Sequence, residues 1–452
     1  MGLNAALSSA ALSMQALERC FEVIENNVTN ASTPGYAKQT QVLAARRFST
    51  EQALSGGVAA GAVLSSRSRY AEQSVWRQMK AYGLASQRVS DLAQLEPVLT
   101  IAENTGIAGA LSDFYGSSSS LSVNPNDVSS RQVVLERAAA LARSFNATLS
   151  DLAGASLAAE REVANVVARI NVLTGRVTEL NEQRRSDFRN AQDAGLDAQL
   201  YAVLEDLSEL GDFNVIDQPD GSVSVFLNGQ EPLVIGDRQF EISVGINNNQ
   251  IELYDSEGNN LAAQTREGRL GALIDLRNNL TPSLTADLNT LAQAFADRVN
   301  GLLAGGVDLN GQTPVKNLFT YDPVAGAANS LAITGITPEE IAAALPGAQG
   351  GNGNALQIAA LSSSKEIGGY TFTEYYGEIA ATVGRQLANA QDNLSSQESL
   401  LAQARSLRQE ESGVSLDEQA ALLMQMQRNY EAVGKLLSVL DELTNIAIGM
   451  IR

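Results

Sequence analysis

Apolar residues recur at alternating spacings of four and three residues at both ends of the 452-residue chain. The N-terminal series, here called the N-terminal seam, comprises Leu3, Leu7, Ala10, Met14, Leu17, Phe21, Ile24 and Val28. The C-terminal series, the C-terminal seam, comprises Leu422, Met426, Asn429, Val433, Leu436, Leu440, Leu443, Ala447 and Met450. This spacing is the a/d pattern of a coiled coil, so each end is predicted to form a long helix that needs a helical partner.

A second apolar stripe runs along the same C-terminal helix, at Leu416, Leu423, Tyr430, Leu437 and Ile451. One partner helix covers one stripe, so the second stripe indicates a further partner, such as another copy of the chain. The alternative is that the two ends of one chain pair and bury both stripes within the monomer. The pattern alone leaves both arrangements open.

The N-terminal helix is predicted to end in a turn. Thr33 precedes a proline, which disfavours helical backbone at that residue. Pro34 and Gly35 fit the two central positions of a type II turn, because proline fixes φ at the first and glycine supplies a positive φ at the second. Tyr36 then gives the turn an aromatic anchor. The residues of this turn motif are Asn26, Asn27, Asn30, Thr33, Pro34, Gly35 and Tyr36.

These segments also carry a family resemblance. Residues 26–36 resemble the signature near the N-terminus of the bacterial flagellar axial proteins, which are the rod, hook and hook-associated proteins. Residues 412–420 and 427–432 resemble the C-terminal signature of the same proteins. Residues 268–300 are similar to a segment of the hook-associated protein 1 family, which forms the first hook–filament junction. The C-terminal motif residues are Gly413, Leu416, Asp417, Glu418 and Tyr430.

Composition restricts the chemistry of the chain. There is no histidine, which removes histidine bases and histidine metal ligands, and Cys20 is the single cysteine. The net charge of −20 disfavours nucleic acid and anionic membrane as partners. No run of about eighteen apolar residues exists, so no membrane insertion is expected. We predict no catalytic, cofactor-binding or metal-binding residue, no cofactor, and no enzymatic activity.

An acidic segment follows the long helices. Residues 205–262 contain twelve Asp or Glu residues and one basic residue, Arg238. Short β-like runs separated by turn residues predict a small antiparallel β unit here. Residues 255–259 begin somewhat like a calcium-binding loop, but the glycine is misplaced and no glutamate closes the loop. A solvated outer face is the favoured interpretation.

The predicted fold is mainly α with a small antiparallel β unit, arranged as an elongated nested hairpin. The N- and C-terminal helices pair as a coiled coil, a long-helix bundle follows, and the β unit is outermost. Residues 134–180 and 379–404 hold the longest central heptad patterns, and residues 117–130 are predicted to be a loop. The predicted domains are a terminal coiled-coil or inner-tube domain (1–45 and 411–452), a long-helix bundle (46–210, 263–303 and 357–410), the acidic β unit (211–262), and a Gly/Ala-rich loop or reduced outer domain (304–356).

The resemblance implies a structural subunit of the bacterial flagellum at the hook–filament junction. It implies export through the flagellar channel without a cleaved signal peptide, and hence an extracellular location. The implied partners are other copies of the chain in a ring, the hook protein, the next hook–filament junction protein, the flagellar export chaperone and the export apparatus. The seams and the two motifs are then assembly residues.

Two other functions remain open at this point. The nearer one is a flagellar hook or distal rod protein. The similarity of residues 268–300 to the hook-associated protein 1 family argues against it, as do the long central helices. The other belongs to a different class, a secreted coiled-coil adhesin or enzyme with a calcium-binding acidic β head. A calcium-dependent shift in melting temperature would favour that second alternative.

Overall fold

The computed structural model of the protein describes residues 2–49, 54–100, 105–186 and 193–450, so Ile451 of the second apolar stripe lies outside the described residues. The chain divides into two compact units. The first unit comprises Met1–Tyr82, Ala168–Ile242 and Gln397–Arg452, and the second comprises Gly83–Val167 and Ser243–Ser396. None of the described helices combines the length and the apolar character that a membrane span requires.

Helices make up most of the described chain. The α-helices are α1 (Gly2–Thr29), α2 (Arg69–Leu95), α3 (Gly106–Val123), α4 (Val128–Ser186), α5 (Ala194–Leu210), α6 (Gly268–Asp275), α7 (Thr281–Ala304), α8 (Ala327–Ser330), α9 (Gly353–Ala360), α10 (Phe372–Ser412) and α11 (Leu416–Gly449). Short 3-10 turns cover Glu96–Leu99 and Pro338–Glu340, and a π-helical turn covers Leu276–Leu280.

The strands form small antiparallel sheets. They are β1 (Gln39–Ala45), β2 (Phe48–Ser49), β3 (Leu54–Ser55), β4 (Val58–Ser65), β5 (Phe213–Asp217), β6 (Val223–Leu227), β7 (Glu231–Ile235), β8 (Arg238–Gln239), β9 (Ser243–Asn247), β10 (Gln250–Tyr254), β11 (Phe319–Thr320) and β12 (Ala332–Ile333). Strands β5 to β8 form a four-stranded sheet in chain order. The other pairs are β1 with β4, β2 with β3, β9 with β10, and β11 with β12.

The long central helix has the predicted burial pattern. Its heptad positions are buried, with the exception of the half-buried Ala155. The helix runs without interruption through Gly154 and Gly175. A helix buried along one stripe gains its stability mainly from packing rather than from intrinsic propensity, which explains why two glycines do not break it. The prediction of a long helix over this segment is therefore confirmed.

In the first unit, α2 packs against the end of α10. Val75 and Met79 form a buried cluster with Leu401 and Ala404. These pairs bring together residues more than 300 positions apart through an apolar stripe on each helix. The four-stranded sheet joins the same unit through Asn181 of α4, whose amide bonds the backbone of Val223 and Gly236.

In the second unit, an aromatic cluster organises the core. Phe114 and Phe295 meet edge to face at 5.5 Å between ring centroids, and Phe319 and Phe372 lie 5.5 Å and 5.4 Å from Phe295. Phe319 belongs to the Gly- and Ala-rich segment 304–356. The sequence predicts a Gly/Ala-rich loop or a reduced outer domain here, and the buried Phe319 and Leu318 connect the segment to the core of the second unit.

The predicted loop over residues 117–130 is wrong except for residues 124–127, because α3 continues to Val123 and α4 begins at Val128. The hydroxyl groups of Ser117 and Ser118 both donate to the carbonyl of Phe114, at 2.8 Å and 3.0 Å. Serine is compatible with a helix when its hydroxyl bonds a carbonyl of the preceding turn. The serine-rich composition therefore marked a buried helical face rather than a loop.

The strands predicted as one acidic β unit form two separate sheets. The four-stranded sheet of β5 to β8 lies in the first unit, and the β9–β10 hairpin lies in the second. The hairpin is held by the π-helical turn, since the side chain of Asn278 accepts from the Ile251 N–H at 2.8 Å and donates to its carbonyl at 2.9 Å. Pro282 follows this turn and supplies no N–H, so the helix is interrupted here by a local π turn.

Candidate assembly site

The two ends of the chain pack against each other as antiparallel helices. Asn27, near the end of α1, contacts Gln419, near the start of α11. Phe21, earlier in α1, meets Tyr430, later in α11, edge to face at 5.9 Å between ring centroids. Because the residue number falls in one helix as it rises in the other, the helices run in opposite directions. The terminal helices therefore pair, as predicted.

Asn27 is the centre of the contact between the two sequence motifs. Its side chain is 1% exposed. The amide donates to the Gln39 carbonyl at 2.8 Å and to Oε1 of Gln419 at 3.1 Å, while its oxygen accepts from the Gln39 N–H at 2.8 Å and from the Tyr36 hydroxyl at 3.0 Å. Both donors and both acceptor positions of the amide are satisfied, which is the condition under which burial of a polar group is tolerated.

The segment between α1 and β1 has the predicted turn geometry. The Tyr36 N–H donates to the Thr33 carbonyl at 3.1 Å, and Gly35 has a φ of 74°. Before it, the Asn30 amide donates to the Asn26 carbonyl at 3.0 Å, so the asparagines end the helix with side-chain bonds. Burial raises the pKa of Tyr36 to about 12, which keeps its hydroxyl protonated as a donor.

The tip of this turn rests on α5. A Cβ atom at Gly35 would lie 2.2 Å from the Ala198 carbonyl oxygen and 2.9 Å from the Ala202 nitrogen. Both are main-chain atoms of a helix and have little freedom to move. Glycine is therefore required here for its positive φ and for the close approach of two backbones.

The C-terminal motif contacts the same turn from the other side. Ser415 caps α11 by accepting from the Glu418 N–H, and Glu418 forms an ion pair with Lys38 at 3.1 Å. The Lys38 N–H donates to the Ser412 carbonyl at 2.8 Å. At Gly413 a Cβ atom would lie 2.4 Å from the Gln409 carbonyl oxygen. Leu416 and Asp417 are exposed at the first turn of α11.

The N-terminal seam is partly buried in the monomer. Leu17 and Ile24 are buried, Leu3, Met14 and Phe21 are half-buried, and Leu7 and Val28 are exposed. The helix buries a second side as well, through Ala16, Cys20 and Asn27. This second side is explained by the β1–β4 hairpin, which also packs on α1. The helix was predicted to need only a helical partner, but it has a sheet partner in addition.

The C-terminal seam is divided between covered and open positions. Leu422, Met426, Val433 and Leu440 are half-buried, as is Tyr430. The remaining large seam members, Leu436, Leu443 and Met450, are exposed.

These exposed seam members and two further residues form an apolar stripe that remains uncovered on α11. We call it the open stripe; it consists of Leu436, Val439, Leu443, Ile446 and Met450, whose exposed fractions run from 46% to 80%. Its spacing is again three and four residues. At about 100° per residue, its members lie roughly 120–180° from Tyr430 around the helix axis.

Three residues that hold this site were not among the predicted site residues. Gln39 and Gln419 complete the bonding of Asn27, and Arg67 donates to the Gly35 carbonyl at 2.6 Å. Gln419 lies inside the C-terminal signature, so its position was a usable signal. Arg67 follows a strand in a polar stretch and carries no local signal.

In the loop of residues 255–259, the carboxylate of Asp255 is engaged in hydrogen bonds. Both carboxylate oxygens of Asp255 accept hydrogen bonds within the loop, from the Glu257 and Asn259 N–H groups at 2.8 Å and from the Asn259 amide at 2.7 Å. Across the described part of the chain, no group of three or more cysteine, aspartate or glutamate side chains is arranged to hold a metal ion.

Two family models match the sequence. Residues 92–319, about half of the chain, match the model described as the flagellar hook-associated protein FlgK helical domain. Residues 405–450 match the model described as the flagellar basal body rod FlgEFG protein C-terminal region. The second match covers the end of α10 and all of α11.

Similar proteins cover nearly the whole chain. Flagellar hook-associated protein 1 of Bacillus subtilis is 25% identical over 98% of this chain and 97% of its own length. The protein of that name from Escherichia coli is 20% identical over 98% of this chain and its full length. A solved structure described as the flagellar hook junction protein FlgK from Burkholderia pseudomallei superposes with a TM-score of 0.67 and 15% identity, covering 75% of this chain and 99% of that one.

Proposed function

Because this chain belongs to the FlgK family of flagellar hook-associated proteins, we propose that it is a structural subunit of the junction between flagellar hook and filament. The observation that carries the proposal is the open stripe, a heptad surface left uncovered after the two ends of the chain have paired. A heptad surface of this kind is satisfied by another helix. The role is structural and requires no catalytic residue.

In this proposal the helix pair α1–α11 forms the inner tube, and the open stripe of one copy packs against a neighbouring copy. The contact joins different surfaces of identical subunits, which is the arrangement that generates rings or helical arrays. The N-terminal seam and the covered part of the C-terminal seam hold the pair together. The turn from Asn30 to Tyr36 sets the angle between this pair and the rest of the first unit.

The free energy available from burying the open stripe fits a subunit that assembles only where several copies meet. Fully burying a large apolar side chain stabilises by about 1.5–3 kcal/mol, so a half-exposed one offers about 1 kcal/mol. Five such side chains offer about 5 kcal/mol, near the lower end of the roughly 4–15 kcal/mol that association costs. One contact between two free subunits is therefore weak. A closed ring gives every subunit two neighbours, so assembly is favoured only when several copies meet.

The location and the partners of the subunit follow from this role. The ring lies between the hook protein and the next hook–filament junction protein, outside the cell and within the flagellum. The subunit reaches this place through the export apparatus, with an export chaperone as an earlier partner. Residues 1–45 and 411–452 form the inner domain, and residues 46–410 supply the outer parts.

The test is electron microscopy of a strain lacking the gene, with the culture medium assayed for shed filament protein. Bare hooks together with filament protein in the medium are the expected result, because filament subunits would be exported without a junction to hold them. Restoring the gene should restore attached filaments. Normal filaments in the deletion strain would refute the proposal.

The match of residues 405–450 to the rod-protein model keeps the hook or rod as the second candidate place in the flagellum. The same experiment separates the two. A deletion strain without any hooks would place the subunit in the rod or hook.

A further inference from the structure

The side chain of Arg67 is buried against three segments of the first unit, namely the turn at Gly35, α2 and α5. Arg67 lies between β4 and α2, and its side chain is 8% exposed. Its Nε atom donates to Oδ2 of Asp197 at 2.8 Å, Nη2 lies 2.7 Å from the same oxygen in an ion pair, and Nη1 donates to Glu72 at 2.5 Å. The guanidinium carbon also lies 3.8 Å from the centre of the Tyr201 ring. The planar group is thus fixed by two carboxylates and one aromatic face.

Arg67 also holds the signature turn. Its Nη2 atom donates to the Gly35 carbonyl at 2.6 Å. Gly35 is held on its other side by the α5 backbone, where a Cβ atom would lie 2.2 Å from the Ala198 oxygen. The turn therefore lies between one arginine and one helix. Any rotation of α1 and β1 about this turn would break the Arg67 bond or separate Gly35 from α5.

The two acidic partners of Arg67 belong to a longer series of alternating charges. Asp197 also accepts from Arg184 of α4 at 3.1 Å, and Glu72 also accepts from Arg408 of α10 at 3.2 Å. Arg408 also donates to Glu205 of α5 at 2.6 Å, and Glu205 accepts a second hydrogen bond from Arg405 at 2.9 Å. The series links α4, α5, α2 and α10, and Arg67 is the member that connects it to the turn.

From this geometry we infer that Arg67 is the positioning residue that fixes the angle between the terminal helix pair and the rest of the first unit. The role of Arg67 in fixing this angle follows from the contacts alone. Only the use of the angle in assembly rests on the proposed function. The turn motif supplies a backbone that is able to bend sharply. The direction of the bend is set by the fork of Arg67, which holds the Gly35 carbonyl and the Asp197 carboxylate at the same time.

The test measures the angle directly as a distance between two spin labels in the purified full chain. The labels are attached at Glu22→Cys on α1 and Asp206→Cys on α5, both exposed positions, in a Cys20→Ala background. Pulsed electron paramagnetic resonance then gives the distribution of distances between them. Arg67→Gln removes the charge and the fork, and Arg67→Lys keeps the charge but loses the two-pronged contact. Arg405→Gln, at the exposed end of the same charge series, is the matched control.

We expect a single narrow distribution in the parent chain and in Arg405→Gln, and loss of that single distribution in both Arg67 variants. An unchanged distribution in a folded Arg67→Gln protein would overturn the inference, even if its melting temperature falls. Should Arg67→Gln fail to fold, Arg67→Lys decides the matter by the same criterion. The measurement uses isolated subunits, so its result is independent of whether the deletion strain loses its filaments.

Discussion

The Asn27 amide donates to Oε1 of Gln419 at 3.1 Å, a hydrogen bond between residues 392 positions apart. One residue belongs to the N-terminal signature and the other to the C-terminal signature. The same Asn27 side chain bonds the backbone of Gln39 in both directions. A single buried amide therefore joins α1, β1 and α11, and the two distant motifs are parts of one structural joint.

Replacing Asn27 with alanine should loosen this joint. The change leaves the Gln39 N–H without its acceptor in a buried site, which costs about 1–3 kcal/mol. At about 2 kcal/mol, the Gln39 amide should exchange its hydrogen roughly thirtyfold faster. Hydrogen–deuterium exchange of residues 37–45 measures the change. The exposed neighbour Ser32→Ala is the control and should leave exchange unaltered; equal rates in the two variants would contradict this role for Asn27.

Gly35→Ala should destabilise the first unit far more than Gly229→Ala. Both glycines have a φ of 74°, so both substitutions carry the cost of left-handed backbone, about 1–2 kcal/mol. Only at Gly35 does the added methyl group meet main-chain atoms; nothing lies within 4 Å at Gly229. The extra cost of overpacking is about 1–3 kcal/mol.

Urea unfolding followed by the fluorescence of Trp76, the single tryptophan, measures both glycine variants in the same unit. Similar unfolding free energies for Gly35→Ala and Gly229→Ala would show that the turn does not rest tightly on α5.

Leu443→Asp should abolish assembly without unfolding the subunit. Leu443 is 46% exposed in the open stripe, so a charge there meets water in the monomer but an apolar partner in the proposed ring. The melting temperature of the purified protein should stay unchanged, and a strain carrying the variant should shed filament protein. Asn445→Asp adds the same charge on another side of α11 and should assemble normally. Attached filaments with Leu443→Asp would exclude the open stripe as an interface.

Asp91→Asn should stabilise the second unit above about pH 6. Asp91 is 6% exposed, and burial raises its pKa to about 6 despite the hydrogen bond from Gln87. The folded state therefore binds this proton more tightly than the unfolded state. Stability falls as pH rises from about 4 to 6 and stays lower above it, by up to about 3 kcal/mol.

Calorimetry at pH 4 and pH 8 tests the role of Asp91. The variant should match the parent at pH 4 and exceed it at pH 8. The exposed Asp113→Asn is the control. A difference from the parent that is the same at both pH values would argue against the titration of Asp91.

Glu205→Gln should show the opposite pH trend in the first unit. Burial by itself raises the pKa of Glu205, but the hydrogen bonds and charges of Arg408 and Arg405 outweigh it and hold the pKa below its usual range. This carboxylate therefore stabilises the fold above its unfolded pKa of about 4.3, and the contribution is lost as pH falls through the lower folded value. The parent should exceed the variant at pH 7, and the gap should close in acid. Urea unfolding followed by Trp76 fluorescence measures the difference in unfolding free energy between the parent and the variant. A difference that does not change with pH would contradict the ion pair.

Heptad spacing and turn chemistry were sufficient to locate most of the helices and the signature turn. Each of these features depends on residues close in the sequence, such as Pro34 and Gly35. The same local logic failed for Ser117 and Ser118, because their hydroxyl groups bond carbonyls of their own helix.

Which side of α11 faces α1 was less predictable. The covered residues, Leu422, Met426, Tyr430, Val433, Leu437 and Leu440, combine members of both predicted stripes. A straight helix of 3.6 residues per turn drifts relative to a strict seven-residue repeat, so the contact crosses from one stripe to the other. Arg67 was missed for a different reason, since Asp197 and Gly35 lie far from it in sequence and only the folded chain brings them together.

The antiparallel contact of α1 with α11 also has a consequence for the order of folding. Bringing together residues 392 positions apart in an otherwise flexible chain costs about 5 kcal/mol of closure entropy. Contacts of such high order are slow to form unless the intervening chain is already compact. The terminal pair should therefore fold last, after the aromatic core of the second unit and the charged core of the first have shortened the distance between its helices.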